Sequence, residues 1–435
     1  MNSLLEYKGE FFLPNKEEHK AYGILTIDAK ENISLELNKG FPGVYSSDSI
    51  TILGILENGQ KITLLQCDIS HFSPTDPLDR TGYTVKGFIR GLHFNSFDEV
   101  RFDNISFRCT NLEAWLDNCG FKYNRSAKTV SLKYTPSNPI NATTTEGFEI
   151  SIKTHVYPAP IPPSTEVTFT ERAYVTFSFK QAIGLDEIQQ KQFVFMSFLD
   201  MAIGRKQTVF EDYAVVGREK INMRFVRCNV NEIEKASPHR MLFTFRDIRK
   251  GWPNKIKKWF ESYRQKKLIY DWYFSLCLSK NNFVEQNFLH LSQFLESYHR
   301  KTYPLSKEES KKRRDRIKNI LDNISDKKDK KYLTEKTAFA HEDSFKERIL
   351  DLLNKCTISK EILSIKDNNS FANKIRDARN YYTHLKTEGL PTPFYELMDT
   401  SIQMNKLAKY YLLGEIAFTK KERSKMLVKP INNFL

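Results

Sequence analysis

A chain of 435 residues that is 40% hydrophobic and 13% aromatic carries enough apolar side chain for two or three cores, which excludes a disordered or low-complexity protein. Its formal charge of +14 is unevenly placed: residues 251–435 hold 37 of the 67 Lys and Arg and 23 of the 53 Asp and Glu, leaving 30 of each sign in residues 1–250. All of the excess positive charge therefore belongs to the C-terminal part, and it favours a polyanionic partner there over simple solvation of helices. No run reaches the roughly 20 apolar residues of a membrane span. The most apolar stretch, Phe193 to Gly204, is too short and contains Asp200, so no membrane partner is expected. The N-terminus lacks a basic region followed by a long apolar run, so no secretory signal is expected either. The six Cys (Cys67, Cys109, Cys119, Cys228, Cys277 and Cys356) are scattered with no Cys-x-x-Cys pair. They read as reduced thiols of a cytoplasmic protein, neither a disulfide frame nor a zinc site.

Along residues 1–157, short alternating runs separated by Asn, Asp, Gly and Pro turns predict strands. They cover Tyr22–Ile27, Ile33–Leu37, Ile50–Leu56, Ile62–Cys67, Tyr83–Ile89, Val100–Phe107, Thr129–Tyr134 and Phe148–Ile152, and they suggest a sandwich or barrel. The segment Pro158-Ala159-Pro160-Ile161-Pro162-Pro163 forbids regular structure and is the best internal hinge. Residues 164–250 then read as a small α/β unit: Val175, Phe177 and Phe179 alternate as a strand, Leu185–Ile203 is a helix, and Val209–Val216 and Met223–Asn229 resume strands. This unit is expected to pack with the first as one sensory or regulatory region. From Trp252 the pattern turns helical, with helices expected over 254–279, 283–300, 306–324, 343–355, 370–386 and 394–418. Ser306 and Glu309 form a capping box. The helix after it carries the basic run Lys311-Lys312-Arg313-Arg314 above a stripe of Ile317, Ile320, Leu321 and Ile324 that should be buried. The run reads equally as an RNA-backbone patch or a solvated face. The tract Asp326-Lys327-Lys328-Asp329-Lys330-Lys331 reads as an exposed loop. The fold class is thus α+β multidomain, a β-rich region of 1–157 and 164–250 followed by an all-α bundle over 251–435.

The most informative short pattern is Arg379-Asn380-Tyr381-Tyr382-Thr383-His384. RNA cleavage needs no metal when one group moves the proton of the ribose 2′-OH or of the leaving oxygen and a fixed cation grips the phosphate. His and Arg are the residue types suited to those tasks. The spacing alone is weak, because a chance match per chain is expected, but His384 is the only one of the nine His with an Arg at that distance upstream. The pattern also lies on a helix, since Phe371, Ile375, Ala378, Tyr382 and Leu385 recur at helical spacing and Gly389 and Pro391 stop it. That apolar stripe is complete without Arg379 and His384, which sit at its two flanks. Otherwise the pair would be a surface Arg and a helix-terminal His suited to the C-terminal dipole. On an ideal helix the two side chains point about 140° apart, so either the last turn is distorted or two copies share one site.

An Arg-polar-x-x-x-His pattern on a late helix of a C-terminal helical domain resembles the HEPN superfamily of ribonucleases. More narrowly, the chain resembles the ApeA family of anti-phage defence proteins. The residues that carry this are Tyr7-Lys8-Gly9-Glu10-Phe11-Phe12-Leu13-Pro14 with Gly23-Ile24-Leu25-Thr26-Ile27, and Phe294-Leu295-Glu296-Ser297-Tyr298-His299-Arg300. The resemblance implies a HEPN helical bundle with Arg379 and His384 catalytic and Asn380 their polar supporter. It further implies a homodimer that cleaves host RNA, with tRNA a candidate, and an N-terminal region that answers a phage-derived protein. Around the motif, Arg376 is a candidate for an adjacent phosphate and Tyr381 for stacking on a base, whereas Tyr382 is expected in the core. Glu296, His299 and Arg300 share a helix face and are candidates for a salt-bridged support. Aromatic residues beside Lys255 to Lys267 offer a stacking role, although at helical spacing they are more often core. No Gly-rich phosphate loop, His-Glu-x-x-His or clustered metal ligands occur, so no metal and no nucleotide cofactor is expected. The competing reading is a catalytically inactive RNA-binding or scaffold protein on the same fold.

Overall fold

The computed structural model describes residues 5–43, 49–72, 80–158, 168–216, 219–226, 235–276, 283–356, 360–384 and 392–428. They fall into two compact units, one of residues 1–203 with 207–260 and one of 204–206 with 261–435.

The first unit is built on β1 (Leu5–Phe12), β2 (Ala21–Ile27), β3 (Ile33–Leu37), β4 (Ile50–Leu56), β5 (Lys61–Phe72), β6 (Thr81–Arg90) and β7 (Arg101–Cys109). After helix α1 (Leu112–Leu116) come β8 (Phe121–Arg125), β9 (Val130–Tyr134), β10 (Ile140–Thr143), β11 (Glu149–Pro158) and β12 (Phe169–Gly184). Helix α2 (Leu185–Ile203), β13 (Val209–Val216), β14 (Glu219–Phe225), the short α3 (Phe245–Ile248) and α4 (Trp252–Gln265) complete it, with the division between the units falling inside α4.

Of the two expected β architectures, the structure contains a barrel. Antiparallel pairing runs from β1 through β2, β3, β6, β5 and β4 back to β1, closing six strands on themselves. The cause is legible in strict alternation: Ala21, Gly23, Leu25 and Ile27, then Ile33, Leu35 and Leu37, point inward and are buried. Closure needs Gly9, where a Cβ would stand 2.4 Å from the Ile55 carbonyl oxygen of β4. Strand β6 also pairs with β14, so the order β14, β13, β7, β12, β11, β10 extends the same sheet. Strands before and after residues 159–167 are therefore neighbours. The expected hinge itself, beyond Pro158, lies outside the described residues. Helix α2 covers this half, with Phe195 edge-on to Phe107 and Phe177.

The second unit holds α5 (Lys267–Leu276), α6 (Val284–Thr302), α7 (Lys307–Asp322), α8 (Lys327–Lys336), α9 (Phe345–Lys355), α10 (Lys360–Leu363), α11 (Asn368–His384), α12 (Phe394–Glu415) and α13 (Lys420–Val428). Its core is the stripe Phe288, Leu291, Phe294, Leu295 and Tyr298 of α6, set against Met404, Leu407, Ala408 and Tyr411 of α12. Glu415 ties the bundle: it accepts from the Tyr298 hydroxyl (2.6 Å) and Ser262 Oγ (2.9 Å) and pairs with the Lys266 ammonium (3.0 Å). Burial, reinforced by Glu415, pushes the Tyr298 hydroxyl far above its ordinary range, so it remains a donor.

Several expectations are corrected. The helix over 254–279 is two helices that break at Lys266, whose ammonium is turned inward to Glu415. The tract 326–331 is not a loop: Asp326 caps α8 by accepting from the Lys328 (2.7 Å) and Asp329 (2.9 Å) amides, which turns a charge run into a helix start. The Ile317, Ile320, Leu321 and Ile324 stripe is not buried; α7 buries no residue and Ile320 is 55% exposed. Ser306 does cap α7 through the Glu309 amide (3.1 Å), while the Glu309 carboxylate faces Arg313 (3.5 Å). The last strand of the β-rich region spans Glu219–Phe225, and residues 227–234 lie outside the described residues, so Met223–Asn229 is displaced. Trp259, Phe260 and Tyr263 are core, which removes their stacking role. Strands β1, β8 and β10 and helices α1, α3, α8, α10 and α13 had no counterpart in the predicted elements.

Candidate functional site

The motif lies on α11, whose buried face is Phe371, Ala372, Ile375 and Ala378. That face packs on α9 and α6 and so fixes the rotation of the helix. Arg379 follows the last of these residues and its side chain is 30% exposed. Its guanidinium lies 5.1 Å from the centroid of the Phe345 ring at the start of α9, and its Nη2 is 3.6 Å from Glu296 Oε2 of α6. The other Glu296 oxygen accepts from Arg300 Nη2 (3.3 Å), Arg300 Nε faces Glu342 (3.4 Å), and Glu342 holds the buried Arg348 (2.9 Å). Arg379 is therefore held by the Phe345 ring and the Glu296 carboxylate, and its partly exposed fork has more donors than this one contact uses.

Asn380 is half-buried on the next position, and His384 is exposed at the end of α11. The helix is continuous through His384, so no distortion near Thr383 brings it toward Arg379; the expected stop signals Gly389 and Pro391 lie outside the described residues. Arg376 pairs with its neighbour Asp377 (2.8 Å), and Tyr381 is half-buried. Tyr382 is not core as expected: it is half-buried, its hydroxyl donates to the Thr392 carbonyl (3.3 Å), and its ring meets Phe288.

The proposed support divides. Glu296 and Arg300 reach the motif, whereas His299, 2% exposed, turns away and bonds Asp351 of α9 through Nε2 (2.8 Å). Burial alone would raise the Asp351 carboxyl, but the Lys355 ammonium and His299 outweigh it and hold it below its ordinary value. Lys311, Lys312, Arg313 and Arg314 stay on α7, with Lys312 paired to Glu308 (3.1 Å) and Arg313 to Asp343 (3.0 Å). Among the described residues no group of three His, Cys, Asp or Glu could hold a metal ion, and no helix is long and apolar enough to cross a membrane.

Sequence reasoning missed a cleft of about 660 Å³ beside Arg379, walled by α5, α6 and α11. Arg379, Tyr382 and Thr383 line one side; Trp272, His290 and Gln293 line the others. Burial lowers the His290 pKa, and its Nδ1 has no hydrogen-bond partner. The signal was present as His290, Gln293 and Ser297 at positions i, i+3 and i+7 of one helix face.

The start of α9, which places Phe345 beneath Arg379, rests on a full capping box. The Glu347 amide donates to Ser344 Oγ (3.3 Å), and the Ser344 amide donates to Glu347 Oε2 (2.7 Å). Ser344→Ala should lower stability by about 1 kcal/mol, read as a reduced urea midpoint. The Ser344 backbone bond depresses the Glu347 pKa against the opposing effect of burial. A depressed carboxyl contributes stability above its unfolded pKa and loses it as pH falls through the folded one, so the difference between wild type and Glu347→Gln should shrink on acidification. An equal difference at neutral and strongly acidic pH would contradict this.

Compared with known families, residues 6–259 match ApeA N-terminal domain 1 and residues 289–422 match the Apea-like HEPN domain. Searches among curated proteins and among solved structures return no match.

Proposed function

The chain belongs to the ApeA family of anti-phage defence proteins with a HEPN-type nuclease domain, and from that premise we propose that it is a metal-independent endoribonuclease with Arg379, Asn380 and His384 as its catalytic residues. The observation that carries this reading is the orientation of Arg379 by Phe345 and Glu296 on the helix whose exposed end is His384. His384 moves the proton at the 2′-oxygen or the leaving 5′-oxygen, and Arg379 clamps the phosphate and offsets the charge of the transition state. The 2′-oxygen bonds to phosphorus, the bond from phosphorus to the 5′-oxygen breaks, and the 2′ proton ends on the leaving oxygen. The products are a 2′,3′-cyclic phosphate and a 5′-hydroxyl. Asn380 supports the pair, and Arg376, Tyr381 and the α7 basic run are contacts for neighbouring nucleotides. The enzyme acts as a homodimer in the cytoplasm on host RNA, tRNA among it, and its β-rich region answers a phage-derived protein.

The test compares phage-infected cells carrying the intact chain with cells carrying His384→Ala, and maps new RNA ends. Ends with 2′,3′-cyclic phosphate only in the first set are expected. Identical RNA in both sets favours the RNA-binding scaffold, which does not need His384. Arg379→Lys keeps the charge but loses the fork, and should reduce cleavage about tenfold to a hundredfold. Near-normal turnover would reduce Arg379 to a diffuse charge.

A further inference from the structure

We infer that the cleft beside Arg379 is a pocket for one unstacked nucleobase of single-stranded RNA, the base attached to the phosphate that Arg379 holds. This rests on the nuclease reading for the identity of that phosphate, but the walls of the cleft argue for the base on their own terms.

Three observations point to this chemistry. First, Trp272 is 44% exposed in the cleft, whereas Trp115, Trp252 and Trp259 are almost fully buried. An indole left half in water on a concave wall forgoes burial that the other three gain, and it offers a π-surface that any base can cover. His290 stands edge-on to it, with ring centroids 5.2 Å apart at 88°, so one side of the indole is already packed. Second, polar groups sit on the same wall. His290 Nδ1 is buried without a partner. Gln293, which lines the cleft, donates from Nε2 to Ser297 Oγ (3.0 Å), so its amide oxygen remains as an acceptor. Burial lowers the imidazole pKa and so favours its neutral form, which adds no second positive charge to the wall. A base edge has matching donors and acceptors; an aliphatic side chain or lipid tail would leave them unpaired.

Third, the only charged side chain lining the cleft among the described residues is cationic, Arg379. An occupant with an aromatic face, a polar edge and an attached anion fits this arrangement, and a nucleotide has all three. The volume also falls in the range of about 300–1,000 Å³ typical of small-molecule sites. A base seated here would fix the nucleotide at the cleaved phosphate and give the enzyme its preference at that position.

The test uses full-length His384→Ala, so that nothing is cleaved. AMP, CMP, GMP and UMP are titrated separately while tryptophan fluorescence is read, with ribose 5-phosphate as the base-free control. Nucleoside monophosphates should quench saturably, and ribose 5-phosphate should bind about tenfold more weakly or worse. Adding Trp272→Leu or His290→Leu should weaken nucleotide binding by a similar factor in calorimetry, while Trp272→Phe, which keeps a π-face, should lose less. The half-exposed position of Trp272 makes the fold tolerant of both changes, and circular dichroism checks it. Ribose 5-phosphate binding as tightly as the nucleotides, or unchanged binding in Trp272→Leu, would overturn the pocket. So would unaltered fluorescence together with a dimer that Trp272→Asp dissociates, which would assign the cleft to a second copy of the chain. If the wild-type chain cleaves RNA yet binds no nucleotide here, the pocket fails and the nuclease reading stands. If nucleotides bind and no cleavage occurs in infected cells, the nuclease reading fails and the base pocket stands.

Discussion

Replacing His384 by Ala is expected to reduce RNA cleavage by about a hundredfold to ten-thousandfold, the range that a proton-transferring side chain contributes. The fold should be indifferent. His384 is exposed at the end of α11 and belongs to none of the buried faces that hold the helix, so its stability effect should stay within about 0.5 kcal/mol. The combination is the informative part, because a residue that mattered through packing would move both quantities. Addition of EDTA should leave the wild-type rate unchanged, since the proposed steps need only protons and a fixed cation. Activity that survives in His384→Ala, or that disappears with chelator, would remove the mechanism. A melting curve beside each assay separates loss of chemistry from loss of structure.

How much of this was legible in the sequence depends on the range over which the information acts. Alternation in Ala21–Ile27 and Ile33–Leu37 is a local signal, and those strands stand where the pattern placed them. Helix α2 likewise occupies the predicted span Leu185–Ile203, since its two bounds coincide with a switch from period two to period 3.6. Closure of the barrel was not legible, because it depends on β1 meeting β4 and β5 meeting β6, pairings that no local pattern encodes. The charge run after Asp326 was misread because its composition is that of a loop, while a single carboxylate capping two amides was enough to start α8. The unburied stripe of α7 differs from expectation for the opposite reason: helical periodicity shows that an apolar face exists, not that anything covers it.

The site divides in the same way. The Arg379 to His384 spacing is local and could be read directly. Its surroundings were assembled from afar: Phe345 lies 34 positions before Arg379, and Glu296 lies 83 before it. Glu296 was found through its helical pairing with Arg300, but His299, from the same face by sequence spacing, turned to Asp351 on α9. Trp272 comes from α5 and His290 from α6, and only packing shows that they share a cleft with Arg379.

The last expectation concerns assembly. Helix α11 is regular through His384, so five residues of rotation leave the Arg379 and His384 side chains about 140° apart. One helix cannot easily place both on a single phosphate. Two copies related by a twofold axis can, because Arg379 of one protomer and His384 of its partner then face a common groove. In such a dimer, Arg379→Ala and His384→Ala chains are each inactive alone. In their heterodimer, however, one of the two composite sites receives both intact residues and the other receives neither. With equal amounts and random exchange, half of the dimers are mixed, so activity should return to about one quarter of the wild-type level. Restoration must also depend on subunit exchange, rising when the chains are co-expressed or mixed before assembly and staying absent when two pre-formed dimers are kept from exchanging. A fully active monomer, or a mixture no more active than its parts, would refute the shared site. The chemistry would then require Arg379 and His384 to reach one phosphate from a single copy of α11, against the direction in which the regular helix points them.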